Sequence, residues 1–401
     1  MPTTVDTRRV RLAAASVFAV FLLSGATFAS WASRLPAVRD ALELAPDQMG
    51  VILFVGACGS LLSLPLTGRV IGAIGARRTV LAASGLVVVG MGLAVYGVTL
   101  GAPVLVAVGL FASMMGIGSW DMGMNFAGTV VERSLSRSIM PWFHAGFSVG
   151  AVLGAAGGTF ASRHGIDLPV HLGVVLVVVL VAVIACVRGF LADPVEAHDD
   201  DAGTRRGGRY ARAWLEGRTL LIGLVVLAAA LTEGAANDWL ALAVVDGFGV
   251  TNDVGALGFT VFVVAMTVMR FGGTWLLDRF GRLAVLRLCT ALAIVGLAVF
   301  GLVDDLPLAM AGAVLWGFGA ALGFPVGMSA ASDEPAHAAA RLSVVSTIGY
   351  TAFLLGPPLL GLLADHVGYR TALLAVLVPL VASFFALGAA APRPADTHEQ
   401  A

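Results

Sequence analysis

Apolar residues run along the chain in long blocks separated by short polar interruptions. A helix needs about 20 apolar residues to cross roughly 30 Å of hydrocarbon. Blocks of that length predict spans near 12–35, 48–71, 79–99, 102–127, 139–162, 168–190, 219–244, 255–277, 283–302, 307–330, 341–364 and 371–390. The expected fold class is therefore all-α integral membrane, with twelve transmembrane helices. One long hydrophilic break, 192–217, carries Asp199-Asp200-Asp201 and then Arg205, Arg206, Arg209 and Arg212. It divides the chain into an N-terminal six-helix bundle (1–191), a charged linker (192–217), a C-terminal six-helix bundle (218–391) and a tail (392–401). Arg8, Arg9 and Arg11 precede the first block as they would a signal peptide. The run from Leu12 to about Ala32 is long enough to span, and no clear small-residue cleavage site follows, so it reads as a retained helix.

Composition agrees with the blocks. Apolar residues make up 58% of the 401 and charged residues only 12%, too few for the surface of a soluble chain of this size. The 50 glycines suit helices that pack closely in lipid. Net charge is −1 with no basic patch, so nucleic acid is not an expected partner. All the basic residues are arginines, which excludes lysine-based catalysis. Cys58, Cys186 and Cys289 each lie within an apolar stretch and read as packing residues.

Arginine placement predicts orientation. With the N-terminus inside, the inner segments collect Arg8, Arg9, Arg11, Arg69, Arg77, Arg78, Arg133, Arg137, the linker set, Arg279, Arg282, Arg287, Arg341 and Arg393. The outer side keeps Arg34, Arg39, Arg163 and Arg370, with Arg270 inside a span. Both termini are thus expected in the cytoplasm and the protein in the cytoplasmic (inner) membrane.

The halves repeat. Gly68-Arg69-Val70-Ile71-Gly72-Ala73-Ile74-Gly75-Ala76-Arg77-Arg78 follows span 2, and Thr274-Trp275-Leu276-Leu277-Asp278-Arg279-Phe280-Gly281-Arg282 follows span 8. A third version, Gly361 to Arg370 with Asp365 and Gly368, follows span 11. Repeated bundles with a site near the midplane are common in secondary transporters. The loop signature resembles that of the major facilitator superfamily, most fully at Asp278, Arg279, Gly281 and Arg282, whereas the first copy has Gly72 in place of the Asp. Asp121-Met122-Gly123-Met124-Asn125 resembles the acidic-x-x-x-Asn element of fucose-permease-like members. The stretches Glu132 to Gly150 and Gly349-Tyr350 to Gly361 resemble a bacterial branch related to them. The resemblance implies two pseudo-symmetric six-helix bundles and a proton-carrying role for Asp121. The carboxylate that the fucose symporter carries in span 1 has no counterpart around Ser30 to Arg34.

Charged groups inside hydrocarbon cost at least about 2.5–3.5 kcal/mol each, so they tend to face a wet cavity or the bundle interior. Asp121 and Asn125 are four apart and share a helix face. Asp121 either carries protons or hydrogen-bonds Asn125 to fix packing. His144 either assists proton movement or bonds a loop at the inner end. Glu233 and Asp238 are five apart on span 7 and do not share a face. Asp238 beside Trp239 is the better cavity candidate, or it pairs with Arg34 at an outer gate. Trp31, Trp316 and Tyr350 complete the candidate solute contacts. Arg270 reads as structural. Arg77, Arg78, Asp278, Arg279, Arg282 and Asp365 belong to the loop signature, with Asp278, Arg279 and Arg282 expected to hold the cytoplasmic side closed by pairing with helix ends of neighbouring spans. Pro357-Pro358 should permit a bend in span 11.

The leading expectation is alternating-access transport of a small polar solute, a sugar or related metabolite, coupled to protons. The alternatives are proton-driven efflux of amphipathic compounds through an apolar, aromatic-lined cavity, and a non-transporting membrane sensor. No metal-ligand pairing, nucleotide loop or His-Glu-x-x-His motif suggests an enzyme, a metal or a cofactor. The expected partners are the solute, protons and the lipid bilayer, with the chain itself a monomer.

Overall fold

The apolar blocks form helices because a backbone in hydrocarbon must satisfy its N–H and C=O groups within the segment. The computed structural model describes residues 7–135, 139–192, 212–334 and 337–391. Most of the predicted linker, the 392–401 tail and Arg137 lie outside the described residues. Twelve helical spans run through the rest: span 1 (Arg8–Leu42), 2 (Pro46–Ile74), 3 (Ala76–Thr99), 4 (Pro103–Leu135), 5 (Met140–Arg163), 6 (Leu168–Gly189), 7 (Gly217–Phe248), 8 (Asn252–Phe280), 9 (Arg282–Leu302), 10 (Leu306–Ala331), 11 (Ala340–Val367) and 12 (Tyr369–Ala390). No strand occurs among the described residues. Several helices outrun the apolar blocks that predicted them. Span 4 continues to Leu135, where the Glu132 carboxylate accepts the Ile139 and Met140 backbone N–H groups at 2.7 and 2.8 Å and so caps span 5.

The two halves pair their helices in the same way. Span 3 packs on span 4, span 1 on span 5 and span 2 on span 4; in the second half span 9 packs on 10, 7 on 11 and 8 on 10. The repeated loops have one physical reason. Gly75, Gly281 and Gly368 each join two spans in a single residue, with φ of 81°, 78° and 78° and ψ near 160°. Such a positive φ favours glycine. The small-residue stripe on span 5 is a contact surface. A Cβ added at Gly150 would lie 1.9 Å from the Leu22 carbonyl oxygen, and one at Gly154 would lie 2.3 Å from that of Ala26. Valines and phenylalanines such as Val177, Val181, Val378 and Phe385 stay exposed on the outside, where lipid would cover them.

Span 10 is not one helix. It runs from Leu306 to Ala320 and restarts at Gly323, because Pro325 offers no N–H to the Ala321 carbonyl and crowds it sterically. Span 11, by contrast, stays helical through Pro357 and Pro358. Span 1 turns briefly at Ser33 and Arg34 before continuing as Leu35–Leu42.

Between the halves, span 2 packs on span 11 and span 5 on span 8. We call the side where span 1 begins and span 12 ends the terminal face, and the opposite side the far face. At the far face Gly50 and Gly361 meet across the halves: a Cβ on Gly361 would sit 2.7 Å from the Pro46 carbonyl oxygen. Arg39 pairs there with Asp246, and Asn252 donates to Asp40 at 2.8 Å. Thr159 and Thr260 share a hydrogen bond of 2.9 Å just below. The far face is shut.

Candidate transport site

Toward the terminal face the halves separate around a cavity of about 960 Å3. Span 4 brings Asp121, about midway along the helix, to its wall, where the side chain is exposed. The i,i+4 spacing places Asn125 one turn on, where its amide donates to the Asp121 carbonyl at 2.8 Å and to the carboxylate at 3.2 Å. His144, on the first turns of span 5, is exposed to the same space, with its ring edge-on to Phe21 at 5.3 Å.

The second half contributes Glu233 from span 7, Arg270 from span 8 and Tyr350 from span 11. Arg270 donates from one nitrogen to both Glu233 oxygens at 3.0 Å and from Nε to the Ala321 carbonyl at 3.3 Å. That carbonyl is the one freed by the break in span 10. One guanidinium thus ties three helices together at the cavity wall, and the residue read from sequence as structural also lines the cavity. Its pairing could not be read from either helix alone; the Gly323-Phe324-Pro325 interruption was the available sign of a discontinuous span beside a site. Phe324 and Pro325 both face the cavity. The remaining wall is largely apolar, with Met124, Met140, Phe147, Phe271, Met328 and Phe353 among its residues.

The three candidate tryptophans do not reach this wall. Trp31, Trp239 and Trp316 are 3%, 1% and 0% exposed. Trp316 is packed between Phe262 and Phe300, and Trp239 lies against Tyr369 at 5.5 Å and touches Gly361. Small neighbours at helix crossings leave room for whole indole rings, so burial replaces solute contact. Asp238 is half-buried and lies outside the cavity lining, and its carboxylate makes no hydrogen bond among the described residues. Arg34 is buried within the first half and donates to the Ile166 carbonyl at 2.9 Å, so the far-face ion pair runs through Arg39 and Asp246 instead.

The loop signature pairs with a neighbouring helix end, but it does not hold the terminal face closed. Arg282 is held by Asp333 at 2.8 and 2.9 Å, Arg218 joins the same carboxylate at 3.1 Å, and all three belong to the second half. Burial alone would raise the Asp333 pKa, but its hydrogen bonds to Arg282 and Arg218 outweigh this and hold it below the usual carboxylate value. Asp278 lies on the cavity wall, and Arg279 stands 5.9 Å over the Phe280 ring. Arg77 and Arg78 are exposed at the terminal face, Asp365 is exposed at the far face, and Gly281 forms the span 8–9 link.

Twelve apolar spans in two matched bundles around a central cavity define a multi-pass membrane protein of the transporter class. The chain belongs to the major facilitator superfamily. The sequence model of the Major Facilitator Superfamily matches residues 222–401. The chain is 36% identical to "Uncharacterized transporter y4wD" of Sinorhizobium fredii over 91% of its own length and 97% of that protein's. Its fold matches a point mutant of the nucleoside transporter NupG, with a TM-score of 0.72 and 15% identity over 94% of this chain and 99% of that one. It also matches a variant of the E. coli fucose:proton symporter FucP, with a TM-score of 0.64 and 16% identity over 94% and 98%. At such identities these two structures speak to the fold alone.

Proposed function

We propose that this transporter couples proton movement to alternating-access transport of a small amphipathic solute across the cytoplasmic membrane. The terminal face is cytoplasmic on the arginine distribution, so the structure would be the inward-open state. The observation that carries the reading is Asp121: an exposed carboxylate, steadied by Asn125, in a cavity open at one face and shut at the other. A carboxyl group so placed can exchange a proton with one compartment, then with the other once the halves rock. A proton moving down 100 mV supplies about 2.3 kcal/mol, roughly a 50-fold concentration ratio.

A sugar or related polar metabolite is the second reading. Asp121 and Asn125 favour it. The methionine and phenylalanine wall favours a solute with an apolar body. The experiment is proton flux in proteoliposomes holding a pH dye, challenged with sugars and amphipathic compounds, for the wild type and Asp121→Asn. Solute-dependent flux that disappears in the variant supports the reading; solute uptake undiminished in the variant removes Asp121 from the mechanism.

A further inference from the structure

We infer that the solute is an organic cation, an ammonium group on an aromatic or aliphatic body, and that it exchanges with a proton at Asp121. This rests on the transport reading above and adds the substrate class. The argument starts from charge balance in the cavity. Arg270 is compensated by Glu233 at 3.0 Å, and Arg282 by Asp333 at 2.8 and 2.9 Å. His144 and Tyr350 line the same space as Arg270 and Asp121. That leaves two carboxylates on the wall with no cationic partner among the described residues, Asp121 in the interior and Asp278 on span 8 nearer the terminal face. Arg218 shares Asp333 with Arg282 at the terminal end, so the shortfall of positive charge is local to Asp121, which faces the cavity with no cation of its own among the described residues.

The wall suits the same ligand. Phe147, Phe324, Phe353 and Tyr350 present ring surface, which attracts an ammonium ion through its quadrupole. A neutral polyol would instead need many hydrogen-bond partners, and a wall rich in methionine, phenylalanine and leucine offers few.

The exchange balances. When the ammonium enters, the Asp121 carboxylic acid loses its proton to the open compartment and the carboxylate pairs with the cation. The O–H bond breaks, an ion pair forms, and the carboxyl site stays neutral in both forms. Proton and ammonium each neutralise the same Asp121 carboxylate, so the two compete. An inward proton gradient then drives the solute outward.

The test is a thermal-stability screen of the full-length protein in nanodiscs. Its probes share one ring body and differ in charge: phenethylammonium, phenylethanol and phenylacetate, with larger homologues of each, and tetraphenylphosphonium as a permanent cation. Stabilisation should be confined to the cations and be at least about tenfold weaker at pH 5 than at pH 8, since protons compete for the carboxylate. It should be lost in Asp121→Asn and kept in Asp121→Glu, which retains the charge. Equal binding of the neutral or anionic probes overturns the inference, as does the absence of any cation effect. If a neutral probe drives Asp121-dependent proton flux, the transport reading stands and the cation assignment fails. If cations bind without moving protons, the coupling fails and the site's charge selectivity stands.

Discussion

The sealed far face makes a prediction that needs no knowledge of the solute. Spans 2 and 11 meet there through Gly50 and Gly361, and a single added methyl group has nowhere to go. In Gly361→Ala the new Cβ would stand 2.7 Å from the Pro46 carbonyl oxygen and 3.0 Å from the Gly50 Cα; in Gly50→Ala it would stand 2.9 Å from the Pro357 carbonyl oxygen. These neighbours are backbone and cannot rotate aside. Overpacking of this kind typically costs about 1–3 kcal/mol. Alanine also favours a helix by about 1 kcal/mol over glycine, but that gain is present whichever face is open and cancels from the equilibrium between the two states. The clash exists only while the far face is shut, so the population open at the terminal face should fall by roughly 5- to 150-fold relative to the one open at the far face. Breaking the partly exposed Arg39–Asp246 pair should matter less, because such surface pairs are worth about 0.2–1 kcal/mol. The assay labels Ser329→Cys, a cavity-wall position, with an impermeant maleimide from the terminal face. The background lacks Cys58, Cys186 and Cys289. Labelling should slow in Gly361→Ala, hardly change in Arg39→Gln, and stay normal in Gly85→Ala, where an added Cβ meets nothing within 4 Å. Unchanged labelling in both Gly361→Ala and Gly50→Ala would refute glycine contact as the seal.

Two further outcomes follow from the ion pairs. Removing one member of the Arg270–Glu233 pair leaves a half-buried charge without its partner, and the loss of charged hydrogen bonds is typically about 1.5–3 kcal/mol; Glu233→Gln and Arg270→Gln should each lower Tm, while the double variant recovers part of the loss, and strictly additive losses would argue against coupling. The pKa values of Glu216, through its hydrogen bond to Arg341, and of Asp333, through Arg282 and Arg218, are held low. Folded-state values below the unfolded ones mean stability present above about pH 4 and lost as pH falls through the lowered values, so hydrogen exchange at 337–341 and 212–216, around the Glu216–Arg341 pair, should accelerate below about pH 4, and Glu216→Gln should blunt that acceleration.

The order of apolar blocks and punctuation was enough to determine twelve spans, two halves and the repeated loops, because the cost of burying backbone in lipid is paid locally, segment by segment. The glycines at 75, 281 and 368 were legible for the same reason: one residue's φ joins each pair of helices. Asp121 and Asn125 could be paired from spacing because both lie on one helix. Other contacts depend on how each helix is rotated about its axis, which no single segment encodes. Arg270 finds Glu233 across 37 positions and Arg39 finds Asp246 across 207. The tryptophans, read as solute contacts, went instead into helix crossings whose shape is set by small residues on other spans. Only the tertiary structure decided which charges share the cavity, and that choice follows from packing: once glycine faces such as 146–158 lock span 5 against span 1, the rotation of each helix, and with it the side every polar group faces, is no longer free.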